Sequence, residues 1–236
     1  KNLRFRSAAL ADNGLLLDFG PDLLAAAHRF NLDFTSLRAA LITHFHEDHW
    51  LLDNLLYHHR WFREHEKPTL HIYGGERIVS EIEILLKRHD IDLEGLGVEP
   101  HVATEFQPFR VPGGYEATAY PAAHSPHTDP NIYALGKDGR RLLYATDTGP
   151  LPEETWTEIS GLGANLLVME LTMGAESNEF HMGNEDFVAA VGRMRRENVL
   201  AKDARVIAFH FSHHHFGTHE EIEGELSRCG IIAGYD

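Results

Sequence analysis

Thr43-His44-Phe45-His46-Glu47-Asp48-His49-Trp50 decides how the rest of this chain is read. It follows Ala39 to Ile42, a short apolar run that reads as a buried strand. In an extended segment, side chains two apart point the same way, so His44 and His46 converge on one ion. A turn into a helix at Asp48 would bring Asp48 and His49 to a second point close by. Imidazole and carboxylate suit zinc, manganese and iron, and no thiol is needed. The competing reading is a polar loop that happens to be rich in histidine. Four ligand-type side chains in His-x-His-x-Asp-His order, directly after an apolar strand, weigh against it.

Composition sets the bounds around that stretch. At 236 residues the chain suits one large domain over 1–236. Its start at Lys1 reads as mid-strand, so the N-terminal strand is expected to be truncated. No apolar run approaches the about 20 residues that span a bilayer, so no membrane partner is expected. The single cysteine, Cys229, excludes an internal disulfide and a cysteine-built zinc finger, and a free thiol fits a cytoplasmic location. Acidic residues outnumber basic ones 36 to 21, and the net charge of -15 repels phosphate backbones. Long nucleic acids are therefore not expected as partners. The densest basic run, Arg193-Met194-Arg195-Arg196, reads as a helix end complementing its dipole.

Along the chain, strands are expected over Asn2 to Leu10, Leu15 to Gly20, Pro68 to Tyr73, Asn165 to Leu171 and Arg205 to Phe211. Helices are expected over Asp22 to Phe30, Trp50 to Glu64, Glu76 to His89, Leu151 to Ile159, Glu185 to Glu197 and Thr218 to Arg228. His58, His59 and His65 read as surface or boundary residues of the second helix. Short strands from Gly97 to Tyr120 look antiparallel. Asn131 to Leu135 and Arg141 to Ala145 read as a hairpin around Lys137-Asp138-Gly139. Strand-rich halves, each followed by helices, imply an α/β (α+β) protein with two sheets sandwiched between helices.

The His44 stretch resembles the signature motif of the metallo-β-lactamase fold superfamily, whose fold is a four-layer αββα sandwich. The resemblance implies roles for residues elsewhere in the chain. His124, in Tyr120-Pro121-Ala122-Ala123-His124-Ser125-Pro126-His127, completes a first metal site with His44 and His46, with His127 as its competitor. Asp147, in Tyr144-Ala145-Thr146-Asp147-Thr148-Gly149, is the carboxylate bridging both ions; alone it would read as a turn aspartate. His210 joins Asp48 and His49 on the second ion, with His213, His214 and His215 close by. Asp18, in Asp18-Phe19-Gly20, sits behind the metal loop and holds it by hydrogen bonds, or else belongs to the cap region of the next helix. His181 faces the substrate and protonates the leaving oxygen, or else is a capping-region histidine. Asp48, His181 and His213 are the candidate catalytic residues, His213 as a substrate contact.

Within the superfamily the resemblance is nearest to PhnP-like phosphoribosyl cyclic phosphodiesterases. It is carried by Asn2-Leu3-Arg4-x-Arg6-Ser7, Leu17-Asp18-x-Gly20-Pro21-Asp22, the Thr43 to His49 motif, His124-Ser125, Asp147 and the His210 loop. It implies hydrolysis of a small or cyclic phosphodiester by two zinc or manganese ions that share a hydroxide. The cysteine-based structural zinc of such proteins has no support in this chain. Flavodiiron-type relatives carry glutamate at His46, and classical β-lactamases carry cysteine at Asp147, so both chemistries are disfavoured. A lactonase or thioesterase, and a non-catalytic metal-binding homologue, are the alternative readings. A homodimer is compatible with the sequence.

Overall fold

The computed structural model describes residues 4–12, 14–62 and 68–234. By packing, the chain divides into two compact units. One is 5–104 with 109–115, and the other is 1–4, 105–108 and 116–236.

The first unit is built on a five-stranded sheet in sequential order. Its strands are β1 (Ala9–Ala11), β2 (Leu15–Leu17), β3 (Ala39–Leu41), β4 (Leu70–Gly74) and β5 (Val98–Val102). Only β1 and β2 are antiparallel; the other neighbours run parallel. The central β2 and β3 bury every side chain, as their uninterrupted apolar runs require. Helices α1 (Leu23–Phe30), α2 (Glu76–His89) and α3 (Leu93–Leu96) complete the unit. On α2, Ile78, Ile82 and Leu85 lie at helical spacing and pack into one core with Leu70, Ile72 and Val98.

Four expectations need correction here. The strand over Asn2 to Leu10 shrinks to β1, with residues 2 and 3 outside the described part. The backbone N–H of Arg6 instead donates to the Asp22 carboxylate at 2.8 Å, so that segment is tied to a side chain. The helix over Trp50 to Glu64 is replaced by two 3-10 turns, Leu52–His58 and Arg60–Phe62; residues 63 and 64 lie outside the described part. Leu52 and Leu55, three apart, eclipse on the buried side of the first turn, the geometry a 3-10 helix provides. His59, expected at a boundary, is fully buried and takes the N–H of Trp61 on Nδ1. Finally, β5 is parallel to β4 rather than antiparallel, because α2 intervenes as a crossover. His65 lies outside the described residues.

The second unit carries a seven-stranded sheet in the order β12-β11-β10-β9-β8-β7-β6. These are β6 (Pro108–Val111), where the chain passes between units, β7 (Tyr115–Pro121), β8 (Asn131–Lys137), β9 (Arg140–Ala145), β10 (Ala164–Glu170), β11 (Leu200–Phe209) and β12 (Ile232–Ala233). Asp138 and Gly139, with φ of 50° and 74°, close the β8–β9 hairpin as the mirror-image turn that matches strand twist. Strands β9, β10, β11 and β12 are parallel. Helices α4 (Glu153–Ile159), α5 (Asn184–Arg196) and α6 (His219–Leu226) fall close to their expected places. Trp156, Phe187, Met194 and Ile222 join the strands in this unit's own core. Arg193 forks onto Glu153 at 2.6 and 2.8 Å and lies over the Trp156 ring, so the basic run is held as a helix end. Among the described residues no helix is long and apolar enough to cross a membrane.

Candidate metal centre

In the first unit, the site loop follows β3 as a turn rather than a helix: the N–H groups of His49 and Trp50 both donate to the carbonyl of His46. Asp18 lies beneath it, fully buried, with a left-handed φ of 62° that aspartate tolerates better than most residues. Its Oδ1 accepts from the Thr43 backbone N–H at 2.9 Å and from the Thr43 hydroxyl at 2.8 Å. Its Oδ2 faces His49 Nδ1 at 2.9 Å. Asp18 therefore holds the loop and caps no helix.

This network fixes two imidazole tautomers. His49 Nδ1 donates to the carboxylate, so Nε2 carries the lone pair. The one proton of the Thr43 hydroxyl is committed to Asp18, so at 3.0 Å the hydroxyl accepts from His44 Nδ1. The lone pair of His44 then sits on Nε2, which faces His46 Nδ1 at 3.0 Å. His49 Nε2 lies 3.5 Å from Asp48 Oδ2. Each pair presents two donor atoms at the separation that one small cation imposes on its ligands.

Gly20 completes the support. A Cβ at that position would meet the carbonyl oxygen of Asp48 at 2.2 Å. Gly20→Ala is expected to push the Asp48 turn outward and destabilise the chain by about 1–3 kcal/mol. A thermal melt should register this as a fall of several degrees, on the order of 2–4 °C per kcal/mol.

In the second unit the same logic recurs at strand ends. Asp147 follows β9 and His210 follows β11, with φ of 42° and 61°. Asp147 is buried, and its two oxygens serve different histidines: Oδ1 lies 3.2 Å from His210 Nε2, and Oδ2 lies 4.0 Å from His124 Nε2. His124 is buried and its Nδ1 donates to the carbonyl of Phe180 at 3.0 Å. His127 is exposed in the 3-10 turn just beyond it. His210 Nδ1 lies 2.8 Å from the Thr172 hydroxyl, whose proton goes to Glu170 in a short hydrogen bond. Again the hydroxyl accepts from Nδ1, and the lone pair is left on Nε2. Second-layer partners of this kind orient metal-binding histidines.

His181 does not cap α5. Its Nδ1 lies 3.2 Å from both oxygens of Glu170, and its backbone N–H donates to Asn178 Oδ1. The ring lies edge-on to His124, with centroids 4.9 Å apart, and parallel to His210, 6.1 Å away. Burial opposes its charged form, but the Glu170 hydrogen bond and the nearby carboxylates outweigh it and hold its pKa above the usual imidazole range. Burial also pushes the Glu170 carboxyl up. His213 and His214 are exposed in the turn after β11. Glu170, Thr172 and Asn178 were missed in the sequence; the available signal was Glu170 itself, a lone acid ending the apolar Leu166-Leu167-Val168-Met169.

Residues 13–211 match the family model described as a β-lactamase superfamily domain. The chain belongs to that superfamily. Its members are metal-dependent hydrolases, and the donor sets above are the kind a divalent ion requires. Three solved structures share this superfamily chain's fold. YhfI from Bacillus subtilis, a metallo-β-lactamase fold protein, is 18% identical with a TM-score of 0.68, covering 96% of this chain and 87% of its own. A diphosphatase of the PhnP family is 21% identical with a TM-score of 0.70, covering 96% and 79%. The short form of human tRNase Z is 15% identical with a TM-score of 0.70, covering 98% and 93%. No curated protein matches the chain. The two-sheet α/β fold and the family likeness read from the motifs both hold.

Proposed function

We propose that this superfamily member hydrolyses a small phosphodiester, a cyclic phosphate included, with two divalent ions, zinc or manganese. His44, His46 and His124 would hold one ion, Asp48, His49 and His210 the other, and Asp147 both. The observation that carries the metal assignment is the hydrogen bonding of the rings: Nδ1 of His44, His49, His124 and His210 each faces an oxygen acceptor, so a neutral ring protonated there keeps its lone pair on Nε2. The split of Asp147, one oxygen toward His124 and the other toward His210, supports its bridging role. The ions would lower the pKa of water toward about 7 and neutralise charge on the phosphoryl oxygens.

The chain's own residues supply the rest. Asp18 and Thr43 orient the first half of the set, and Thr172 and Phe180 the second. Glu170 holds His181 by Nδ1 and favours its cationic form, so Nε2 carries a proton to give to the leaving oxygen. His213, in the exposed turn, would contact the substrate, and Asp48 would serve as both ligand and catalytic group.

The test is turnover of bis(p-nitrophenyl) phosphate and of ribose cyclic phosphates by chelator-treated protein reloaded with Mn²⁺ or Zn²⁺. Hydrolysis of lactones or thioesters, with no diester turned over under any divalent ion, would reject the proposal. His181→Ala is expected to keep both ions and to slow alkoxide-leaving substrates about 10²-fold or more, with a smaller effect on p-nitrophenolate. Equal losses for both leaving groups would remove its role as acid.

A further inference from the structure

The five-stranded sheet carries a second group of ligand-type side chains that the proposed reaction does not use. Strands β4 and β5 are parallel with His71 opposite Glu99 and Tyr73 opposite His101. Alternation sends Leu70, Ile72 and Val98 into the core with α2. His71, Tyr73, Glu99 and His101 therefore share the other face, and β5 is the edge strand. The three ligand-type side chains are partly solvent-accessible: 26% for His71, 56% for Glu99 and 29% for His101.

We infer that His71, Glu99 and His101 form a binding site for a divalent transition-metal ion at this sheet edge. His71 Nδ1 and His101 Nε2 face one another at 3.0 Å. Glu99 Oε2 is 3.7 Å from the first and Oε1 is 3.5 Å from the second. Nitrogen and oxygen ligands about 2.0–2.2 Å from a tetrahedral ion stand about 3.3–3.5 Å from one another. The three donors are thus within a few tenths of an ångström of the spacing an ion would set. Between two imidazole nitrogens this close, one ring donates and the other accepts; an ion takes the lone pair of each.

The rings are held in advance. His71 stacks on His101 at 5.2 Å and 15°, His101 on Tyr73 at 4.6 Å and 14°, and Tyr73 on Phe109 at 5.0 Å and 19°. The Tyr73 hydroxyl donates to the carbonyl of Arg110 and anchors the column. Two imidazoles to one carboxylate select Zn²⁺, Ni²⁺ or Cu²⁺ over Mg²⁺ or Ca²⁺.

Chelator-treated full chain titrated with Ni²⁺ and Zn²⁺, with bound ions counted by mass spectrometry after gel filtration, tests the site. The unsubstituted chain should hold one ion per chain more than His71→Ala/His101→Ala. Losing an outer partner of a ligand already costs about 10–100-fold in affinity, so losing a ligand should cost at least as much. Glu99→Gln, a change at a largely exposed position, should weaken Ni²⁺ at this site by at least about 10-fold and protects the test against misfolding of the double variant. In Asp147→Asn the extra ion should remain, which separates this site from the proposed hydrolytic centre. Equal ion counts and equal Ni²⁺ affinity in the unsubstituted chain and Glu99→Gln would overturn the inference.

Discussion

Asp147→Asn should fold with a melting temperature close to that of the unsubstituted chain, lose metal from the proposed hydrolytic centre, and lose diester turnover by on the order of 10³-fold or more, equivalent to about 4 kcal/mol of transition-state stabilisation. Asparagine is the informative replacement. Asp147 sits at a φ of 42°, which asparagine accepts and alanine resists. It also keeps an oxygen for the Thr146 hydroxyl, now 3.1 Å from Oδ1. What it removes is the charge and one of two acceptor oxygens, of which one faces His210 and the other His124. Asp147→Ala would add a backbone cost of about 1–2 kcal/mol to the same chemical loss. Metal analysis and steady-state kinetics on both variants check this. A metal-loaded Asp147→Asn with near-normal turnover would show that the residue is a turn aspartate and nothing more.

The second large effect concerns a residue proposed to touch neither ion nor substrate. Asp18→Ala should destabilise the chain by about 3–5 kcal/mol, because the Thr43 N–H, the Thr43 hydroxyl and His49 Nδ1 lose a fully buried acceptor. Asp18→Asn is subtler. One amide oxygen can still serve Thr43, but the amide NH₂ then confronts His49 Nδ1 as donor against donor. Relief comes from moving the His49 proton to Nε2, the nitrogen assigned to the ion. A folded Asp18→Asn with metal affinity lowered about 10–100-fold is therefore expected. Calorimetric metal titration alongside circular dichroism melts separates the two outcomes. Unchanged affinity would mean that His49 is oriented by other contacts.

The fold and most of the proposed ligand set were legible because the chemistry sits where apolar strands stop. His44 after β3, Asp147 after β9 and His210 after β11 all come directly after hydrophobic runs that could be picked out by eye. Asp18 was legible through the Asp18-Phe19-Gly20 pattern that resembles the superfamily's motif, and a Cβ added at Gly20 would strike Asp48. Tertiary choices were not legible. Glu170 stands out as a lone acid ending an apolar run, but nothing local to it or to Thr172 announces that they position His181 and His210, which lie 11 and 38 residues away from them respectively. The Trp50 segment has ordinary helix formers and nevertheless takes 3-10 turns, with Leu52 and Leu55 on the buried side. The direction of β5 depended on its crossover helix rather than on its own residues. His59 was misjudged because α3, which gives it a neighbour at Gly95, is four residues long and leaves little trace in the sequence.

The single cysteine has a practical consequence. Cys229 is exposed, and no sulfur stands among the proposed ligands. A maleimide fluorophore can therefore be attached at one defined place beyond α6. Inactivation by a reagent that spares thiols and modifies imidazoles would speak to the histidines alone.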